Sequence, residues 1–189
     1  MENIKQNEVE KNMINMLVEK TQHMQMTAKE YEYICSFLGD KNFLVFGTGY
    51  DSNLWRYANS KGKTIFLENI GKWINPQDTD VYKVTYSTKR GQYKELLEDF
   101  QKGEYGKLQM ELPNIVRTTA WDCIFVDSPV GTTDKKPGRM QSIFAARQLS
   151  SRDTNVFVHD IDRDVENEYT RKMFSSIIKE LTKLRHVKI

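Results

Sequence analysis

The sequence predicts an α/β fold: a doubly wound, mostly parallel sheet with helices on both faces, preceded by N-terminal helices. Three observations carry this expectation. Short continuous apolar runs such as NFLVF and CIFV recur along the chain, as in strands buried on both faces. Segments of helical apolar spacing lie between them, and that alternation argues for a parallel sheet. Polar residues close the apolar runs at the same end each time: 47–51, Glu68, Asp127 and His159 with Asp160.

Residues 1–24 read as a polar, weakly amphipathic helix with Ile4, Val9, Met13, Met16 and Leu17 on one side. Such a stripe is expected to pack on the domain, with another subunit as the alternative. Thr27 and Glu30 form a T-x-x-E capping box ahead of Tyr31, Ile34, Cys35 and Leu38, and Gly39 is a natural stop, which gives a helix over 28–38. The first strand is 43–46, followed by a helix holding Leu54, Trp55 and Ala58. TIFL at 64–67 is the second strand and 81–86 the third. Tyr93, Leu96, Leu97 and Phe100 repeat at helical spacing, whereas 103–119 reads as a connection. The fourth strand is 123–126, and SPVGTTDKK at 128–136 has loop composition. Pro137 can open a helix with Met140, Ile143, Phe144 and Leu149. A fifth strand at 156–158, a helix over 164–181 and a last strand at 186–189 complete the chain. The expected organisation is an N-terminal helical extension, 1–25, and one domain, 26–189.

With 189 residues, a net charge of +2 and well-mixed charges, the composition gives no reason to expect a nucleic acid or membrane partner. No apolar run approaches the ~18 residues of a membrane span. The opening MENIKQNEVEKN lacks the layout of a signal peptide, so a soluble, cytoplasmic protein is expected. Cys35 and Cys123 match no metal spacing and read as buried free thiols.

Ligands of open parallel sheets sit outside the carboxyl ends of the strands, where strand order reverses. Gly47, Thr48 and Gly49 form a turn that allows close backbone approach. Glu68 ends the next strand, where an acid can accept both hydroxyls of a ribose. That pairing fits NAD, FAD or S-adenosylmethionine. A dinucleotide motif needs a third glycine near position 52, where the chain has Ser52. Asp51 repels a pyrophosphate at the helix start and suits the cationic methionine end of S-adenosylmethionine, or it caps the helix. No Walker A motif is present.

The stretches "NFLVFGTGYDSNLW", "TIFLEN", "YKVTYSTKRGQYKELL", "ELPNIVRTTAWDCIFVDSPVG", "PGRMQSIFAARQL" and "VFVHDIDRDVENEY" together resemble the plant glucuronoxylan 4-O-methyltransferase family, which also covers related xylan-biosynthesis proteins. The likeness spans 26–189. It implies a class I, Rossmann-like S-adenosylmethionine-dependent methyltransferase domain and methyl transfer to the 4-hydroxyl of glucuronic acid. Carried over by residue, it makes Gly47, Gly49, Asp51 and Glu68 the cofactor candidates, and Thr48, between the two glycines, is counted with them. It also places Asp127, His159, Asp160 and Asp162 around the reaction centre. Val45 stands where many class I methyltransferases have an acid. The plant enzymes are Golgi proteins with an N-terminal anchor that this chain does not show, so the acceptor is expected to be a carbohydrate or uronic acid, xylan or another.

A sugar hydroxyl is a poor nucleophile, so Asp127 or His159 is the expected base. Asp127 and Asp160 also resemble the layout of divalent-metal O-methyltransferases, with oxygen ligands that suit Mg, Mn or Ca; a metal remains an alternative. Arg139 and Arg163, with Lys135 and Lys136, are the candidates to pair with a uronate. Tyr50 and Trp73 are candidates to stack on a sugar, while Trp55 reads as core. His23 and His186 have no assignment. The competing readings are a different acceptor (RNA, a protein or a small phenol) and a non-catalytic binding subunit.

Overall fold

The computed structural model describes the backbone of residues 2–20 and 26–189, and the side chains of 8–19 and 26–189. Seven strands form one sheet: β1 (Asn42–Phe46), β2 (Lys63–Glu68), β3 (Val81–Lys83), β4 (Cys123–Val126), β5 (Asn155–Val158), β6 (Ser176–Glu180) and β7 (Arg185–Lys188). Their order is β3-β2-β1-β4-β5-β7-β6. β1 to β5 pair in parallel, and β7 and β6 complete one edge antiparallel. The helices are α1 (Glu2–Lys20), α2 (Ala28–Cys35), α3 (Ser52–Ala58), α4 (Tyr93–Gln101), α5 (Asn114–Thr118), α6 (Met140–Leu149) and α7 (Asp164–Met173). Among the described residues no helix is long and apolar enough to cross a membrane.

Strand side chains alternate between the two faces. Phe43, Val45, Phe66, Cys123, Phe125 and Phe157 pack with Ile14 of α1, Tyr31 and Ile34 of α2, and Leu54 and Trp55 of α3. Leu44, Phe46, Ile65, Leu67, Ile124, Val126, Val156 and Val158 pack with α4, α6 and α7. Two cores on opposite faces explain why the central strands are apolar at every position, as read from the sequence.

Several expectations shift in detail. The buried stripe of α1 is Met13, Ile14 and Leu17; Val9 and Met16 lie roughly a quarter-turn away at 3.6 residues per turn and face solvent. Ile4 and His23 lie outside the described side chains. α2 stops at Cys35, and a turn leads to Gly39 at φ 125°. Its capping box forms as expected: Thr27 N donates to Glu30 Oε2 at 2.7 Å, and Glu30 N to Thr27 Oγ1 at 3.4 Å. The buried Glu30 also accepts from Lys183 N at 2.6 Å, which ties α2 to the β6–β7 turn. The connection 103–119 contains a 3-10 turn and α5, and buries Leu108 and Val116.

The largest departure is at the C-terminus. A helix over 164–181 was expected, but α7 ends at Met173 and residues 176–180 form β6. The buried Arg185 of β7 holds this arrangement by donating to Glu180 Oε1 at 2.8 Å, Asn167 Oδ1 at 2.8 Å and Thr170 Oγ1. Pairing with a distant strand overrides local periodicity here. His186 is enclosed between Tyr33 Oη at 2.9 Å and Asn155 Oδ1 at 3.1 Å, and burial pushes it down to about 4, so it is neutral. Cys35 and Cys123 are buried and free, and burial pushes the Cys123 thiol up to about 12.

Candidate functional site

Strand order reverses between β2–β1 and β1–β4, and a cleft opens at the carboxyl ends of these three strands. Gly47, Thr48, Gly49, Asp51, Glu68, Ile70, Trp73, Asp127, Ser128 and Val130 line it, with Val45, Trp55 and Phe125.

The turn after β1 requires glycine at its first position. Gly47 has φ 115°, and a Cβ there would lie 2.8 Å from Ser128 Cβ. Its N–H donates to Leu67 O at 2.8 Å, which pins the turn to β2. In place of a third glycine, the Ser52 hydroxyl accepts from Gly49 N at 2.9 Å and shapes the entry to α3.

Glu68 ends β2 with a buried carboxylate. Its Oε1 accepts from Asn69 N and Ile70 N, each at 2.7 Å. Its Oε2 accepts from Thr48 N at 2.9 Å and Thr48 Oγ1 at 3.0 Å. Four donors match the acceptor capacity of a carboxylate. A ligand diol therefore reaches Glu68 by replacing the Thr48 hydroxyl, which also lies 3.1 Å from Trp73 O. Asp51 occupies the N-cap position of α3 but makes no side-chain cap bond. Burial, then the charge of Asp127, pushes its carboxyl up to about 7. A cation bound in the cleft would favour its ionised form.

Behind the cleft lies a charged network centred on Arg139, which is 2% exposed at the start of α6. Its Nη2 lies 2.9 Å from Asp127 Oδ1 and 2.6 Å from Asp160 Oδ2, its Nε lies 3.7 Å from Glu166 Oε1, and its Nη1 donates to His159 O at 2.8 Å. His159, fully buried, places Nδ1 3.0 Å from Asp127 Oδ1. Both protein partners thus hold one oxygen of Asp127, whose side chain stays 25% exposed and lines the cleft. Burial works against the charge on Asp127, but Arg139 and His159 outweigh it and hold the carboxyl below its usual value. For His159 burial also opposes charge, and the hydrogen bond and charge of Asp127 reverse this, so the ring sits above its usual value. Burial raises Glu166 against the pull of Arg139. Asp160 adopts φ 63°, a left-handed conformation that aspartate tolerates better than most residues.

The expected uronate arginines are therefore placed differently. The guanidinium of Arg139 is committed to three carboxylates and a carbonyl, away from the cleft surface. Arg163 reaches Asp160 Oδ2 at 2.9 Å with its side chain 26% exposed. Asp162 is exposed, 3.4 Å from Lys183 Nζ, and stands apart from the network. Sequence reasoning missed Glu166, which lies in an ordinary acidic first turn of α7 with no local signal to set it apart. It also missed Ile70, Ser128 and Val130 as cleft residues.

Asp127, His159 and Asp160 have ligand atoms within 4.8 Å of one another, a donor set of the right kind for a divalent cation. Both oxygens of Asp160 also lack an aligned hydrogen-bond partner. However, Arg139 Nη2 stands between the two carboxylates and supplies a permanent positive charge there. With this side-chain arrangement a metal does not fit unless Arg139 swings out.

The chain matches the IRX15/IRX15L/GXM family over residues 30–186. It is 35% identical over 188 residues to glucuronoxylan 4-O-methyltransferase 1 of Arabidopsis thaliana, covering 86% of this chain and 67% of that protein. Identity to glucuronoxylan 4-O-methyltransferase 2 of the same plant is 37%, over 68% of this chain and 52% of the relative. Identity to its arabinogalactan O-methyltransferase 1 is 33%, over 71% and 55%. The chain thus spans from about half to two thirds of the length of these relatives. Among solved structures it is similar to MycE methyltransferase from the mycinamycin biosynthetic pathway, in complex with Mg and SAH. The TM-score is 0.51 at 8% identity, over 95% of this chain and 52% of that one. At that identity the likeness concerns the fold, which is the Rossmann-like class I methyltransferase fold.

Proposed function

Because the chain belongs to the IRX15/IRX15L/GXM family, we propose that it is an S-adenosylmethionine-dependent O-methyltransferase acting on a carbohydrate hydroxyl, with the 4-hydroxyl of a glucuronic acid residue as the leading acceptor. The observation that carries this reading is the convergence of the glycine turn, Glu68 and Asp127 on one cleft.

S-adenosylmethionine supplies an electrophilic methyl group on a sulfonium. Gly47, Thr48 and Gly49 bring the backbone close to it, Glu68 accepts from the ribose hydroxyls, and Asp51 faces the cationic methionine end. Asp127, anchored through Oδ1, offers its carboxylate to the acceptor hydroxyl and aligns its oxygen with the methyl carbon. Since the Asp127 carboxyl is held low, it is ionised at neutral pH and accepts this hydrogen bond. The hydroxyl becomes strongly acidic only as the new C–O bond forms, so a weak base suffices to take its proton. His159 and Asp160 act through Asp127 and Arg139, and Arg139 is a positioning residue. Arg163 retains enough exposure to pair with a uronate. No step is routed through a metal.

A second reading concerns the polymer. The names of the relatives cover both glucuronoxylan and arabinogalactan, so an arabinogalactan-type acceptor is the alternative. The test is transfer of labelled methyl from S-adenosylmethionine to unmethylated glucuronoxylan and to arabinogalactan, alongside thermal shifts with S-adenosylhomocysteine, NAD and ATP. Labelled glucuronoxylan and a shift with S-adenosylhomocysteine alone support the reading. A shift with NAD and none with S-adenosylhomocysteine overturns it.

A further inference from the structure

The start of α6 grips the chain on both sides of the point where β4 ends. Arg139 and Ser142 stand three residues apart there, so their side chains lie on one side of the helix. Arg139 holds the side chain of Asp127 at 2.9 Å. Ser142, fully buried, holds the next peptide. Its hydroxyl donates to Ser128 O at 2.7 Å and lies 3.1 Å from Tyr86 Oη, from which it can accept. Among the described residues, the backbone ladder between β1 and β4 ends one residue earlier, with Asp127 N donating to Phe46 O at 3.1 Å. Beyond that bond the two strand-end turns meet by packing: a Cβ on Gly47 would lie 2.8 Å from Ser128 Cβ. Gly47 itself is tied the other way, to Leu67 O. Ser128 is therefore held between the glycine turn and Ser142, and both turns line the cleft.

We propose that Ser142 is a positioning residue for methyl transfer. Its hydroxyl fixes the Ser128 peptide, and with it the separation between the Gly47 turn, which receives the cofactor, and Asp127, which receives the acceptor hydroxyl. This deepens, and rests on, the reading of the cleft as a carbohydrate O-methyltransferase site. In-line displacement needs the acceptor oxygen about 3–3.5 Å from the methyl carbon, and a misplacement of about 1 Å costs ~100-fold in rate. The two reacting atoms are presented by two different turns, so the reaction depends on the spacing between those turns. No ladder bond among the described residues sets that spacing. Contact with Gly47 blocks movement of Ser128 in one direction, and the bond from Ser142 blocks it in the other. Removing the hydroxyl leaves a buried carbonyl without its donor, which drives the peptide to turn toward another partner. A matched bond at the opposite end of β4 separates positioning from stability. There the buried Thr154 Oγ1 donates to Trp121 O at 2.8 Å, before the amino ends of β5 and β4 and away from the cleft.

The test is steady-state transfer of labelled methyl to unmethylated glucuronoxylan and to arabinogalactan by the full chain, well below the lowest melting temperature. Wild type, Ser142→Ala, Ser142→Cys and Thr154→Ala are compared, with affinity for S-adenosylhomocysteine measured by calorimetry. Ser142→Ala is expected to lower kcat about 10- to 100-fold, while KM for the polymer and affinity for S-adenosylhomocysteine stay at wild-type values. Ser142→Cys keeps a weak donor of similar shape, so its kcat should fall between the two. Thr154→Ala loses the same kind of bond; it should lower the melting temperature and leave kcat unchanged. Wild-type kcat in Ser142→Ala overturns the proposal, as does an equal fall of kcat in Thr154→Ala, which would make the loss one of stability. Weakened binding of S-adenosylhomocysteine at unchanged kcat assigns Ser142 to the cofactor and also overturns it. A wild-type protein that binds S-adenosylhomocysteine but methylates neither polymer overturns the carbohydrate reading, and the positioning role with it.

Discussion

Replacing Arg139 with methionine separates a buried structural cation from a substrate-binding one. The guanidinium lies 2.9 Å and 2.6 Å from two carboxylates and 3.7 Å from a third, and is almost fully buried. Removing one partner of a buried ion pair costs about 3–5 kcal/mol, because the remaining charge is left in a poorly solvated place. For a chain of this size that is a fall in melting temperature of about 6–20 °C. The loss depends on pH in a definite direction. In the wild type the Asp127 carboxyl is held below its usual value; its contribution to stability is present at neutral pH and disappears as pH falls through that lowered value. In Arg139→Met the largest charge opposing burial at Asp127 and Glu166 is gone, with only the weaker pull of His159 and Arg163 left, so both folded values move up and the variant loses stability relative to the wild type as pH climbs above about 4. The gap between the two proteins should therefore be small at about pH 4 and reach its full size near neutrality. Urea unfolding at both pH values measures it. Equal stability at both, together with a raised KM for the acceptor, would refute the reasoning and return Arg139 to the substrate.

Other consequences follow from the same geometry. Glu68→Gln replaces an acceptor of four donors by an amide that accepts fewer. It should weaken S-adenosylhomocysteine binding about 10- to 100-fold by calorimetry, as expected for hydrogen bonds to a charged group. Gly47→Ala meets both a positive φ and a contact of 2.8 Å, so it should cost about 2–3 kcal/mol. Gly39→Ala has φ 125° but open space, and should lower the melting temperature by less. Asp51 is pushed up to about 7, so its ionisation works against folding as pH rises from about 4 to about 7. Asp51→Asn should gain on the wild type across that window and hold a constant advantage above it, as read by melting temperature. Magnesium or manganese should leave the melting temperature unchanged, since Arg139 fills the place between Asp127 and Asp160; a clear rise would show that the guanidinium gives way.

Much of the fold was legible because it is written in local, periodic features. The continuous apolar strands β1, β2, β4 and β5, the capping box at Thr27 and Glu30, and the turn at Gly47 each depend on residues close together in the chain. The line of strand ends at Gly47, Glu68, Asp127 and His159 followed from parallel topology, which sends every carboxyl end to one edge. The seams between elements were less visible. Residues 176–180 carry a pattern a helix could use, and only the antiparallel partner β7, with Arg185 reaching back to Asn167 and Thr170, makes them a strand.

By itself, then, the sequence determined the parallel strands, the glycine turn, the acidic strand ends and the family to which they belong, but not the antiparallel edge. Tertiary structure alone decided what the charges do. Arg139 looked like a loop arginine available to a substrate until the fold set it among Asp127, Asp160 and Glu166. Trp73 looked like one aromatic residue among several until the fold left it exposed beside Tyr50 at the cleft. The physical reason is common to both: an ionic or aromatic side chain takes its role from neighbours tens of residues away, and neither spacing nor propensity encodes which neighbours those are.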